Sequence, residues 1–171
     1  MIDAQQFEAF VRRYQDMVFG TAVRLLGNPV EAEDVAQTVF LRAFQRFDAI
    51  GSSDAVAGWL RTVTRNACLN HLSRYRARWK FFSELEAVEP LASIDPPAFD
   101  FELRDRRAQL ERAPHALPDH QRVPLVLFHF EEMSYRQIAD TLGVSLGKAK
   151  TDIHRGREAL KRLLSPDDAS R

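Results

Sequence analysis

Lys148, Lys150, Thr151, His154 and Arg155 fall within eight consecutive positions of a 171-residue chain. Their chemistry is that of a surface for nucleic acid. Arginine and lysine donate to the major-groove edge of guanine, threonine bonds a base or touches a thymine methyl, and neighbouring cations hold phosphates. The rest of the chain offers little to a reaction. No carboxylate pair, nucleophile with its base, glycine-rich phosphate loop or metal-ligand spacing occurs in a coherent context, so neither catalysis nor a cofactor is expected, nor a small-molecule substrate. His71, His115, His120 and His129 are scattered, which speaks against a metal site. Cys68 is the sole cysteine. An internal disulfide is excluded, which agrees with a reducing compartment, and Cys68 is expected as a small buried residue.

A helix must hold those side chains together, and the sequence supplies one. Ala149, Ile153, Gly156, Leu160 and Leu163 recur at steps of four and three and so face a core. At about 100° per residue, Lys150, Thr151, His154 and Arg155 lie on the opposite face, with Lys148 on its flank. Ser145 is placed to cap this helix. Before it, Ser134 and Gln137 have the spacing of a capping box, a short helix follows through Ile138, Ala139 and Leu142, and Gly143 supplies a turn tolerant of positive φ. Helix, three-residue turn, helix is the helix-turn-helix arrangement, whose second helix fits the major groove. Basic exposed faces are common on solvated helices. What distinguishes this one is the combination of two capped helices, the glycine turn, the core stripe and the basic face behind it.

The formal net charge is zero, with 24 basic and 24 acidic residues, yet the charges are segregated. Residues 59–80 carry six bases (Arg61, Arg65, Arg74, Arg76, Arg78, Lys80) and no acid, residues 81–102 carry six acids and no base, and residues 143–162 carry six bases against two acids. Local charge therefore predicts two sites for nucleic acid where the average predicts none. At 45% apolar and 28% charged residues the chain can bury packed cores, so wholesale disorder is not expected. No apolar run is long enough to span a membrane, and the N-terminus has no signal-peptide pattern; a cytoplasmic protein without membrane insertion is expected.

Upstream, Phe7, Phe10, Val11, Tyr14, Val18, Thr21 and Leu25 form one helical stripe. Gly27, Asn28 and Pro29 end that helix and begin another, with Glu31 where a capping box wants a carboxylate. Val35, Val39, Phe40, Ala43, Phe44 and Phe47 give the second stripe. A loop is expected over Asp48–Asp54, then a third helix from about Ala55 to about Arg76 with Trp59, Leu60, Val63, Ala67 and Leu72 in the core. Residues 81–105 lose the helical period and hold three prolines; they read as a flexible acidic linker, with room for one helical turn at Ser83–Val88. The expected architecture is all-α: a helical domain over 1–80, the linker over 81–105, a helix-turn-helix domain over 106–164 and a tail over 165–171. Pro124, inside the expected first helix of the second domain, should kink or restart it.

Three stretches carry a resemblance. EAEDVAQTVFLRAFQRF at 31–47 resembles the polymerase-binding helix of extracytoplasmic-function sigma factors, GWLRTVTRNACLNHLSRYRAR at 58–78 is similar to that family's −10-reading helix, and LPDHQRVPLVLFHFEEMSYRQIADTLGVSLGKAKTDIHRGREALKRLL at 117–164 is similar to its −35-reading domain. The blocks stand in the family's order. The resemblance implies a transcription initiation factor that binds core RNA polymerase and promoter DNA. Asp34, Gln37 and Phe40 would dock on the clamp helices of the largest subunit. Arg61, Arg65, Asn66, Asn70, Arg74 and Arg76 would form the −10 surface, and the Asp48–Asp54 loop would trap a flipped base. Tyr135, Arg136, Lys148, Lys150, Thr151, His154 and Arg155 would contact the −35 element. An anti-sigma factor is an implied further partner.

The sequence departs from the family at Thr38, where a glutamate is usual, and at Gly147-Lys148-Ala149, where Gly-Thr-Val is usual. Two other readings compete. A sigma mimic that sequesters a regulator leaves the basic helix without a purpose, and a simple helix-turn-helix repressor leaves residues 31–78 unexplained.

Overall fold

Local signals set where the helices begin and end. The structure is a computed structural model that describes residues 3–75 and 116–164. Asp3 starts α1 (Ala4–Leu26) by accepting from the Gln5 N–H at 3.0 Å. Gly27 closes it at φ 67°, its N–H on the Val23 carbonyl; an L side chain would be strained there. Asn28 Oδ1 then accepts from the Val30 and Glu31 N–H groups and opens α2 (Pro29–Gln45), with proline at its first position. A single helical turn, α3 (Phe47–Ile50), precedes α4 (Val56–His71), which tightens into a 3-10 turn at Leu72–Tyr75. The loop expected over Asp48–Asp54 is thus helical in its first part. The third long helix is shorter than expected at its C-terminal end.

The chain divides into two compact units, Met1–Arg74 and Tyr75–Arg171. In the first, α1, α2 and α4 pack pairwise. Val18, Ala22 and Leu25 meet Val39, Ala43, Leu60 and Cys68, all with no exposed surface. Cys68 is buried as its small size suggested. Thr64 is a polar member of this core, as is Thr21, and the Thr64 hydroxyl donates to the Leu60 carbonyl at 2.6 Å, which offsets the cost of burying it. An aromatic cluster closes one end. Phe7 meets Phe44 at 5.0 Å and Phe47 at 5.4 Å, and Phe10 meets Phe47 at 5.3 Å and Tyr14 at 5.0 Å.

In the second unit the described helices are α5 (Asp119–His129), α6 (Tyr135–Leu142) and α7 (Leu146–Leu164). α7 packs on α5 and α6. Val123, Val126, Leu127, Ile138, Ala149 and Ile153 form the core. Helix α5 runs on through Pro124 without a break, so the expected restart is absent. Arg122 steadies the start of this helix; its buried guanidinium donates to the Leu117 carbonyl at 3.1 Å and pairs with Asp119. α7 approaches α5 closely because residue 156 is glycine. A Cβ there would stand 3.2 Å from the Gln121 carbonyl oxygen and 3.5 Å from Leu125.

The described residues contain helices and turns but no strand, and none of those helices is long and apolar enough to cross a membrane. The linker over 81–105, its helical turn, the domain start at 106 and the tail lie outside the described residues. Several expected core positions are not core. Phe44 and Leu163 are 44% and 53% exposed, and Phe40, Trp59 and Val63 are only half-buried.

Glu132 connects α5 to α6 at φ 55°, a left-handed conformation that is unusual for a side chain other than glycine. Glu132→Gly is expected to stabilise the chain by about 0.5–1 kcal/mol and Glu132→Val to destabilise it by about as much or more; paired thermal melts check both signs.

Candidate functional site

Three surfaces hold the residues singled out from the sequence. The first is built by α1 and α2. The apolar stripe of α2 is too wide for its core: Val35, Val39 and Ala43 face inward, while Phe40, Leu41 and Phe44 turn to a groove of about 950 Å³ together with Phe7, Val11 and Phe19. Gln37, Glu33 and Asp16 add polar groups to its wall. Leu41 is 64% exposed. Gln37 and Phe40 both line this groove. Asp34 is exposed on α2 but outside the groove lining; its backbone carbonyl accepts from the Thr38 hydroxyl at 3.1 Å. The residues missed were Leu41, Phe44 and Phe19. The signal lay in the sequence as an apolar stripe broader than one helix face can bury, but Phe44 was read as core.

The second surface is the open side of α4. Asn66 and Asn70 are exposed and one turn apart, Arg61 is exposed, and Arg65 is half-buried. Thr62, beside them, donates its hydroxyl to the Gly58 carbonyl at 3.0 Å. Arg74 belongs to the 3-10 turn; its side chain, Arg76 and Trp79 lie outside what is described. Glu31 at the α2 start stands 3.5 Å from His71 at the end of α4, and α2 packs on α4, so these two surfaces belong to one packed unit. Beside α3, a second cavity of about 530 Å³ is lined by Phe10, Arg13, Tyr14, Phe47, Asp48 and Ser52, among others.

The third surface is the helix-turn-helix. The capping box forms as read: Gln137 N–H donates to Ser134 Oγ at 3.1 Å, and Ser134 N–H to Gln137 Oε1 at 2.9 Å. Gly143 takes φ 67° and closes α6. Ser145 Oγ accepts from the Lys148 N–H at 3.2 Å and opens α7. Arg136 is exposed; Lys148, Lys150, His154 and Arg155 are half-buried.

One position differs from expectation. Thr151 was placed on the outer face of α7, yet it is only 5% exposed and its hydroxyl is spent on the Gly147 carbonyl at 2.9 Å. Asp152 beside it is also buried. Helical periodicity locates the face opposite the core but cannot tell whether anything else covers it. Tyr135 is half-buried, and its ring stacks on Phe128. Arg157 is buried and donates from Nε to His129 Nε2 at 3.0 Å.

Comparison with known proteins gives consistent matches. Residues 10–78 match the family model described as Sigma-70 region 2, and residues 107–160 match that described as Sigma-70, region 4. The ECF RNA polymerase sigma factor SigW of Bacillus subtilis is 31% identical over 169 residues, spanning 95% of this chain and 90% of that protein. The RNA polymerase sigma-E factor of Streptomyces avermitilis is 34% identical over 167 residues, spanning 95% of this chain and 87% of that protein. Among solved structures, the sigma factor RpoE of Bartonella quintana, crystallised with the anti-sigma factor NepR, matches with a TM-score of 0.49 at 22% identity, covering 96% of this chain and 99% of that one.

Proposed function

The chain belongs to the extracytoplasmic-function RNA polymerase sigma factors, and from that membership we propose how its surfaces divide the work of promoter recognition. The groove between α1 and α2 docks on the clamp helices of core polymerase, with Gln37 and Phe40 in its wall and Asp34 at its edge. The open side of α4 reads the melted −10 element through Asn66 and Asn70, while Arg61, Arg65, Arg74 and Arg76 track its backbone. Melted DNA offers bases and phosphates separately, and this mixture of amides and cations suits both. The cavity beside α3 receives a flipped base. Arg136, Lys148, Lys150, His154 and Arg155 read the −35 element; buried Thr151 is left out of that set.

The observation that carries this reading is the groove. Exposed Leu41 and Phe44 beside Gln37 and Phe40 form apolar surface of the kind that a partner covers. An anti-sigma factor that covers the same groove would hold the chain away from polymerase. The factor works in the cytoplasm with polymerase and catalyses no reaction itself. Neither DNA surface is large, and tethering makes them cooperate through effective concentration. A relaxed coil of about 30 residues averages roughly 30 Å, less than the separation of two elements more than one ~34 Å helical turn apart. The acidity of residues 81–102 would keep that stretch off the DNA.

Run-off transcription with purified core polymerase is the test. Promoter-specific transcripts are expected, and Arg155→Ala should lose discrimination at the −35 element by about 1–3 kcal/mol, roughly 5- to 150-fold. DNA binding without transcripts would instead make the chain a repressor, and neither activity would make it a mimic. Unchanged −35 selectivity in Arg155→Ala would remove Arg155 from the reading face.

A further inference from the structure

Four side chains from three helices form a column beside α7. Phe128 of α5 and Tyr135 of α6 stack with ring centroids 4.7 Å apart and planes within 6° of parallel. Each ring carries a cation from α7. Lys150 Nζ lies 5.7 Å from the Tyr135 centroid, and Arg157 Cζ lies 5.3 Å from the Phe128 centroid. His129 meets Phe128 edge-on at 5.0 Å and accepts the Arg157 hydrogen bond. Lys150 and Arg157 are seven residues apart and so share one stripe of α7. The Arg157 end of the column is buried and the Lys150 end is half-buried.

We propose that Tyr135 is a positioning residue, which with Phe128 fixes where the Lys150 ammonium stands on the DNA-reading surface. The proposal rests on the reading of α7 as the −35 helix. An unrestrained lysine samples many rotamers, and ordering it on binding costs entropy. The negative face of an aromatic ring attracts the ammonium and narrows that choice before DNA arrives. The ring itself is held by Phe128, and Phe128 by Arg157 and His129, so order passes from the buried end of the column outward. A lysine held in place can address one base edge, whereas a mobile one serves as a charge for phosphates. The Tyr135 ring, already stacked and carrying a cation, is not available to stack a base. The ring does this work without its hydroxyl, so phenylalanine should replace it.

The test uses the full chain, alone for NMR and with core polymerase on templates with an intact or scrambled −35 element. In the free chain the Lys150 Hε protons should be shifted upfield by the ring current, keep that shift in Tyr135→Phe and lose it in Tyr135→Leu. In transcription, Tyr135→Leu should lower the preference for the intact element about three- to tenfold, and Tyr135→Phe should leave it within about twofold. In a Lys150→Ala background Tyr135→Leu should add nothing, because the two residues act as one. Unshifted Hε protons in the parent chain, an equal loss in Tyr135→Phe, or the same loss with and without Lys150 would each overturn the proposal. The Tyr135→Phe arm and the Hε shift of the parent chain remain readable even where Tyr135→Leu fails to fold. A parent chain with the ring-current shift but no preference for the intact element would sink the −35 reading and leave the Tyr135–Lys150 contact standing.

Discussion

Leu41→Asp should leave the first unit folded and stop it from capturing core RNA polymerase. Leu41 is 64% exposed and lines the α1–α2 groove beside Gln37, Phe40 and Phe44. In the free chain an aspartate there remains hydrated, so the change in stability should stay within about 0.5 kcal/mol. With polymerase covering the groove as proposed, the same carboxylate would lose its water with no cation among the described residues lining the groove to pair with it. Central apolar anchors of an interface are worth about 2–4 kcal/mol when lost, roughly 30- to 1000-fold in affinity. Fluorescence-detected binding to core polymerase reads the loss, and a circular-dichroism melt of the same preparation separates it from unfolding. Full affinity in Leu41→Asp would mean that polymerase docks elsewhere on the chain.

Substitution of Gly156 should act on the other unit and in steps. Alanine places one atom 3.2 Å from the Gln121 carbonyl oxygen. That contact is tight, but alanine also favours the helix by about 1 kcal/mol, so Gly156→Ala should come out within about 1 kcal/mol of the parent. Gly156→Leu has no such offset. Its further atoms must enter space held by the α5 backbone and Leu125, α7 must lift from α5, and the buried surface of Val126 and Ile153 opens with it. The expected cost is about 3 kcal/mol or more, a large part of what a domain of this size holds. Promoter selectivity at the −35 element should vanish while binding to polymerase through the groove persists. Differential scanning calorimetry and the same polymerase-binding assay check the two halves of that statement. Equal melting temperatures for Gly156→Leu and the parent would show that α5 and α7 are not in close contact in solution.

Several helix ends were determined by local chemistry, which is why they were legible in sequence; the uncapped turn α3 and the end of α4 were not. Gly27, Asn28 and Pro29 turn the chain between α1 and α2, Ser134 and Gln137 cap α6, and Gly143 and Ser145 frame the turn, each through groups within a few residues of one another. The basic helix, its core stripe and the order of the three motif blocks were likewise present in residue types and spacing. Tertiary packing decided the rest. Periodicity marks apolar positions but does not say whether a partner helix reaches them, so Phe44 and Leu163 stay exposed while Thr151, opposite the core stripe, is buried. The Tyr135–Phe128 stack, with Lys150 and Arg157 upon it, joins residues from three helices, and its members meet only once α5, α6 and α7 are packed. Contacts closed within one helical turn follow from the local chain. Contacts between helices depend on how each side chain's surface is shared among neighbours, and only the folded arrangement determines that.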